Sequence, residues 1–552
     1  MSALNDKIKK IPVTYRKTII WIVLLATVLF VSYPAFDAVI HAGHDLLGLS
    51  GRIEGIKSAW ECGQIFPVIM PNANNGYGYL EFMYPELFLL IPAFLRYIGL
   101  SMVTALHIYI FIINAATAVF SYFGVKTVLD DISKKDKGGT EYDETAVELI
   151  SLLSACYFLM NQYRLLDLYI RAAIGEAVSM GFIVFAIAGL YHILTGNRRL
   201  WWMAVIGMSG ILHSHILSCA LIVPVVLILG VVFFGNIIRE GRWKETLYAV
   251  VVFFMVNAWY IVPFIRFYKF GLNTDALIVD DVWNHTVRLM QLFSTSAETM
   301  GQDYVLISLG IASLLILILT VTGSVINLGS NKDAGNHTRI FLPVISGIFM
   351  LYLIFSLDIM PFLWVKTSIE KIWGIVSMLQ FPYRLLTVAS VCLVFMLAIT
   401  LINTEYFRNN LLTIGTVLMV FAIMGSGNLM REYEGYTIGM EKSDTGFEKN
   451  VPDDYLPAGI DKSIFDDTNV YIEGEDVDFS WEKNGTDVVI SYKISQPAVC
   501  SVPLLYYPCY TASTEDGSNI EVFQMEDKRI GLSLPAGEHT VHLKVKLFNK
   551  LW

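Results

Sequence analysis

The stretch TIIWIVLLATVLFVSYPAFDAV, residues 18–39, carries a single charged side chain, Asp37, in 22 residues. A helix needs about 20 predominantly apolar residues to cross a bilayer, so this stretch reads as a membrane span. Residues 103–125 and 177–194 repeat the pattern, and apolar runs of this kind recur about eleven times before residue 428. Of the 552 residues, 55% are hydrophobic and 16% charged, against about 25% charged in a typical soluble domain. The expected fold is a polytopic α-helical membrane protein with about eleven transmembrane helices.

The remainder is different in kind. Residues 428–552 hold 22 acids and 11 bases, a net charge of −11. The whole chain is −10, so residues 1–427 are close to neutral at +1. Val477–Trp481 and Val541–Leu547 alternate apolar and polar side chains, as half-buried strands do. Val488–Ile490 and Val502–Tyr507 are further strand candidates, and Pro508, Asp516-Gly517 and Pro535-Ala-Gly537 punctuate them as turns. We therefore expect a helical bundle over 1–427, with an outer loop at 41–102, and a C-terminal β-sandwich or jelly-roll-like domain over 428–552. A basic nucleic-acid footprint is absent.

Six cysteines are present, with no zinc-site spacing. Cys156, Cys219 and Cys392 lie in apolar runs and read as packing residues. Cys500 and Cys509 flank a turn and are candidates for a disulfide if that domain faces an oxidising compartment.

Charge sets the expected orientation, because short cytoplasmic loops are enriched in Lys and Arg. With residues 1–17 inside, the segments 126–145, 196–200, 236–245, 329–339 and 403–410 also fall inside. Together these hold 17 Lys and Arg in about 70 residues, against 11 in about 140 residues of outer loop. No small-residue cleavage site follows the first run, which reads as an uncleaved span. Tyr84–Leu100 carries Pro85, Glu86, Pro92 and Arg96 and suits a juxtamembrane or re-entrant helix better than a full span. The C-terminal domain is then extracytoplasmic on a multi-pass protein of the cell membrane.

Ionisable residues gather near the outer ends of these runs, where a functional site is expected. His41-Ala-Gly-His-Asp45 directly follows the first span. Asp45 either accepts a proton from an acceptor hydroxyl or caps a helix over Leu46–Trp60. His44 and Asp45 together are a weak ligand pair for a divalent cation. Arg52 follows two helical turns later. Asp167 and Arg171 are four apart, with Glu176 close behind, and make either a site or a buried ion pair. Arg384 ends Gln380-Phe-Pro-Tyr-Arg384 and either holds a phosphate by a forked contact or anchors a lipid headgroup. His213 and His215 diverge by about 200° on a helix and read as structural.

His44-Asp45, Gly76-Tyr-Gly78, Phe82-Met-Tyr-Pro85, Leu168-Tyr-Ile-Arg-Ala-Ala-Ile-Gly-Glu176, Leu212-His-Ser-His215, Phe381-Pro-Tyr-Arg384, Asp454-Tyr-Leu-Pro457 and Tyr506-Tyr-Pro-Cys-Tyr510 occur in that order. In this the chain resembles the GT-C superfamily of membrane glycosyltransferases. Within it, the chain is similar to bacterial YfhO-like membrane proteins, a group also labelled pyruvoyl-tetrahydropterin-synthase-related. The resemblance implies transfer of a sugar from a polyprenyl-phosphate donor to a cell-envelope glycan or lipid acceptor, with inversion. It implies Asp45 as the acidic residue of the first outer loop that stands at the reaction centre, the catalytic residue. His44, Arg52, Arg171, Glu176 and Arg384 form the expected substrate-binding set, and a divalent cation is a candidate cofactor. Two other readings are a lipid or polysaccharide transporter and a non-catalytic membrane assembly protein. The first needs ionisable groups strung through the bilayer centre, where this chain carries Val, Ile, Leu and Phe.

Overall fold

A computed structural model describes residues 12–135, 143–273, 278–294, 307–329, 336–450, 453–474 and 477–546. The inner loops expected at 126–145 and 329–339, and the last residue of the strand expected at 541–547, lie partly outside these. The chain divides into two compact units. The first is Met1–His44, Leu106–Met255 and Val279–Glu441, and the second is Asp45–Ala105, Val256–Ile278 and Lys442–Trp552.

The first unit is helical. Among the described residues seven helices are long and apolar enough to cross a membrane, including Val13–Val31, Ile174–Leu194 and Leu411–Glu434. Ile216–Val232 and Ile340–Ser356 are shorter apolar helices. The protein is thus a multi-pass membrane protein. Ile174–Leu194 is 89% buried over its apolar window and Pro382–Asn403 is 94% buried, whereas Val13–Val31 is 22% buried. The first two form the centre of the bundle. A helix apolar all round with little protein cover, like the third, needs lipid on its outer face.

Small residues let the central helix meet its neighbour. A Cβ on Gly189 would lie 2.0 Å from the Ala204 nitrogen, and one on Gly207 would lie 2.4 Å from the Ala186 nitrogen. Helices in lipid associate by such close backbone approach. Gly189→Ala is therefore expected to push Ile174–Leu194 and Trp202–Leu212 apart, at a cost of about 1–3 kcal/mol. A thermal melt of the detergent-solubilised protein would read this as a lower midpoint, and an unchanged midpoint would refute the close packing.

The segments that follow helices Val13–Val31 and Leu411–Glu434 are joined in the same unit. Ile40–His41 pairs antiparallel with Ile438–Met440, and His41 Nδ1 lies 2.9 Å from the Tyr436 carbonyl.

The second unit contains the β-sandwich. One sheet has five strands, in the order Asn519–Ile520, Tyr510–Thr514, Gly537–Val545, Asp487–Ile494, Asp478–Asn484. The other has four, in the order Val522–Gln524, Arg529–Leu534, Ala498–Leu505, Tyr471–Ile472. All the strand pairs are antiparallel. Side chains of Asp487–Ile494, which contains the candidate Val488–Ile490, alternate between buried and less buried positions. Gly485, at φ +62°, supplies the left-handed residue in the two-residue loop before it. Cys500 and Cys509 are both buried free thiols.

The expected boundary at 427/428 falls inside helix Leu411–Glu434. The segment Asp45–Ala105, which includes most of the loop expected at 41–102, groups with the sandwich instead. The reason is backbone contact between distant segments. Leu505 N donates to Tyr77 O at 2.9 Å, Lys483 Nζ donates to Gly76 O at 2.5 Å, and Asn75 Nδ2 donates to Phe465 O at 3.0 Å. The stretch expected to be re-entrant holds the eight-residue helix Leu90–Tyr97, only about 12 Å long at 1.5 Å per residue.

Candidate functional site

In the first unit Gln162–Leu165 continues as one wide π turn, Leu166–Ile170, before helix Ile174–Leu194 starts. Such turns are frequent at functional sites. Ala172 then takes φ +52°, a costly left-handed conformation for a residue with a Cβ. This irregular passage turns Asp167 and Arg171 inward and places Glu176 in the first turn of the next helix, where the helix dipole favours a carboxylate. Arg384 arrives separately, on the turn Pro382–Leu385 that opens helix Leu386–Asn403. Gln380, just before it, is also left-handed at φ +62°.

These residues form one buried network. Arg171 Nη1 bonds Asp167 Oδ1 and lies 3.0 Å from Glu176 Oε2. Arg384 Nε lies 3.6 Å from the same Glu176 oxygen, and its Nη1 donates to Gln380 Oε1. Glu176 Oε1 accepts from Tyr163 OH at 3.0 Å and from Thr387 Oγ1 at 2.5 Å. The Arg171 guanidinium sits 4.9 Å from the Tyr383 ring centroid, and Arg384 sits 4.8 Å from that of Phe381. Those two rings stack at 5.2 Å, with 4° between their planes. His215 joins the field of Glu176, Arg171 and Arg384 and bonds Ser218 Oγ through Nδ1 at 2.9 Å.

Asp167 is 0% exposed, Glu176 1%, Arg171 3% and Arg384 7%. Two carboxylates face two guanidiniums, so the formal sum is zero. Burial, then the adjacent Glu176 charge, raises the proton affinity of Asp167, and Arg171 opposes both. Asp167 Oδ2 and Arg384 Nε have no hydrogen-bond partner among the described residues. They are the network's spare valences, one acceptor and one donor.

The six expected residues are distributed unevenly. Arg171, Glu176 and Arg384 meet. His44 is exposed, but its backbone N donates to Ile170 O at 3.3 Å. Gly43 before it would bring a Cβ within 2.9 Å of Ala172 Cβ, so the chain lies tight against the turn that carries Arg171. Asp45 occupies the N-cap position of Leu46–Glu61 yet makes no capping hydrogen bond, and it is exposed.

Arg52 departs from expectation. It is 7% exposed in the second unit, 3.2 Å from Glu86 Oε1 and 4.0 Å from the Tyr84 ring centroid. No group of three or more His, Cys, Asp or Glu side chains able to hold a metal ion occurs among the described residues, so no chemical step is routed through one.

Tyr163, Thr387 and Tyr383 were not singled out from the sequence. Tyr163 lies four residues before Asp167, a spacing that shares a helix face and was the available signal, whereas nothing local ties Thr387 to Glu176.

Fold and site together define a multi-pass helical membrane protein with a β-sandwich and a buried, charge-balanced network in its helical unit. No family model matches the chain. An uncharacterised protein of Lactococcus lactis subsp. cremoris (strain MG1363) is 24% identical over 267 residues, which is 46% of this chain and 40% of that protein. The mycobacterial arabinofuranosyltransferase AftD, solved by single-particle electron cryo-microscopy, aligns at a TM-score of 0.45 and 11% identity. That alignment covers 76% of this chain and 27% of AftD. The chain thus spans well under half the length of either.

Proposed function

We propose that the protein is a membrane glycosyltransferase. It moves a sugar from a polyprenyl-phosphate donor to a glycan or lipid acceptor of the cell envelope, on the extracytoplasmic side. The observation that carries this reading is the pair Arg171 and Arg384 beside Glu176, with an Arg384 Nε–H still lacking a hydrogen-bond partner. In the reaction the acceptor oxygen attacks the anomeric carbon as the bond to the phosphate oxygen breaks. The configuration inverts and polyprenyl phosphate leaves. Asp45 takes the acceptor's hydroxyl proton. Guanidinium charge stabilises the negative charge growing on the leaving oxygen.

Arg384→Lys keeps the charge but loses the planar fork. It is expected to raise the donor KM by about tenfold, roughly one charge-assisted hydrogen bond, with the protein still folded. The direct test is purified protein in nanodiscs with a panel of polyprenyl-phosphate sugars, following release of polyprenyl phosphate. No release from any donor, with acceptors from envelope extracts present, would overturn the reading.

One observation favours a second reading. Arg171 is already balanced by two carboxylates, as it would be in a purely structural network of a non-catalytic assembly protein. Under that reading Arg384→Lys changes stability and no transfer is detected.

A further inference from the structure

A second buried cluster of ionisable groups surrounds Arg52 in the second unit. Glu81 follows strand Tyr79–Leu80, and its backbone N donates to Val68 O at 2.9 Å. Its side chain is 1% exposed, and neither carboxyl oxygen has a hydrogen-bond partner among the described residues. The Tyr79 hydroxyl, Glu86 Oε2 and Asp454 Oδ1 are buried without partners too.

Among the described residues Arg52 is the charge that acts on Glu81, and Tyr79 and Tyr455 share its neighbourhood. Arg52 also feels Tyr84, Glu86 and Asp454. One guanidinium thus serves three carboxyls. It is already committed to Glu86 and to the face of Tyr84. The other charges on the same helix are engaged elsewhere, since Glu54 pairs with Lys57 and Arg96, and Lys57 also reaches Glu61.

A buried carboxylate that receives no hydrogen bond is far costlier than a buried neutral acid. The neutral acid is therefore the form this packing tolerates. Strand Ile69–Met70 pairs antiparallel with Tyr79–Leu80, and this hairpin, which leads to Glu81, is pressed on the helix that carries Arg52. A Cβ on Gly55 would lie 2.3 Å from Met70 Sδ, so strand Ile69–Met70 packs tightly on that helix. Tyr455, at φ +64°, adds a strained residue to the same wall.

We infer that Glu81 is a proton-held latch: its neutral form keeps the hairpin Ile69–Leu80 closed on helix Leu46–Glu61, and loss of the proton releases it. Burial pushes the Glu81 carboxyl up to about 8, against the pull of Arg52. A folded-state value raised from 4.5 means that the stabilisation is complete below about pH 4.5 and is lost as pH rises through about 8. The hold on the hairpin therefore weakens progressively between about pH 4.5 and about pH 8 and is weakest in mildly alkaline medium. It holds whichever reaction the protein performs.

The test is hydrogen exchange of the full chain in nanodiscs, from about pH 6 to about pH 9.5, corrected for the intrinsic rate. Peptides covering residues 66–90 should lose protection by at least about tenfold between about pH 6 and about pH 8 in the wild type, with little further loss above that, and keep it in Glu81→Gln. Infrared difference spectra give a second readout, the band of a protonated carboxylic acid that titrates in the same range and is missing from Glu81→Gln. Equal pH dependence in both proteins, or no such band at about pH 6, would overturn the latch.

Discussion

Asp45→Asn is expected to lower sugar transfer by about a thousandfold, within the 10²–10⁴ range of a positioned general base. The substitution keeps shape and polarity and removes only the capacity to take a proton. Its structural cost should be small, within about 0.5 kcal/mol, because exposed positions tolerate polar exchange. The residue caps no backbone N–H with its side chain, although it holds the N-cap position. Were it a working cap, its loss would cost about 0.5–2 kcal/mol, and Asn would restore most of that. The pair of readouts separates the roles. Lost turnover with an unchanged melting midpoint supports the base, and wild-type turnover removes Asp45 from the mechanism.

Arg171→Met should be the most destabilising single change in the network. Arg171 lies between Asp167 and Glu176, both essentially inaccessible to water. Removing it strands two like charges in a poorly polarisable interior, with Arg384 3.6 Å from one of them. Breaking a buried pair in this way costs about 3–5 kcal/mol. A marked fall in folded, monodisperse protein after solubilisation is the expected result. Asp167→Asn placed on top of Arg171→Met should recover part of the loss, since it removes one stranded charge, and such non-additivity is the mark of direct contact. A fully stable Arg171→Met would mean that these carboxyls are already neutral.

Much of the architecture was legible because its causes are local. The apolar runs and the alternating strands are periodic features, and the helix starting after Asp45 appears where a cap residue precedes it. Arg171 with Asp167 was legible for the same reason, being four residues apart. The rest of the network was not. Thr387 reaches Glu176 across 211 residues, and no spacing rule spans that distance. Arg52 looked like an open cation because its partner, Glu86, lies 34 residues on, beyond any helical repeat. Glu81 attracted no notice because a lone acid in a loop reads as solvated until its burial is seen.

The amino-acid order alone determined that this chain enters a membrane and carries a β-sandwich, since hydrophobic length and two-residue alternation are written residue by residue. Packing decided which charges are neutralised, which remain with unused hydrogen-bonding capacity, and that the loop after the first helix belongs with the sandwich. Those outcomes depend on burial, and burial is produced by contacts between segments tens to hundreds of residues apart.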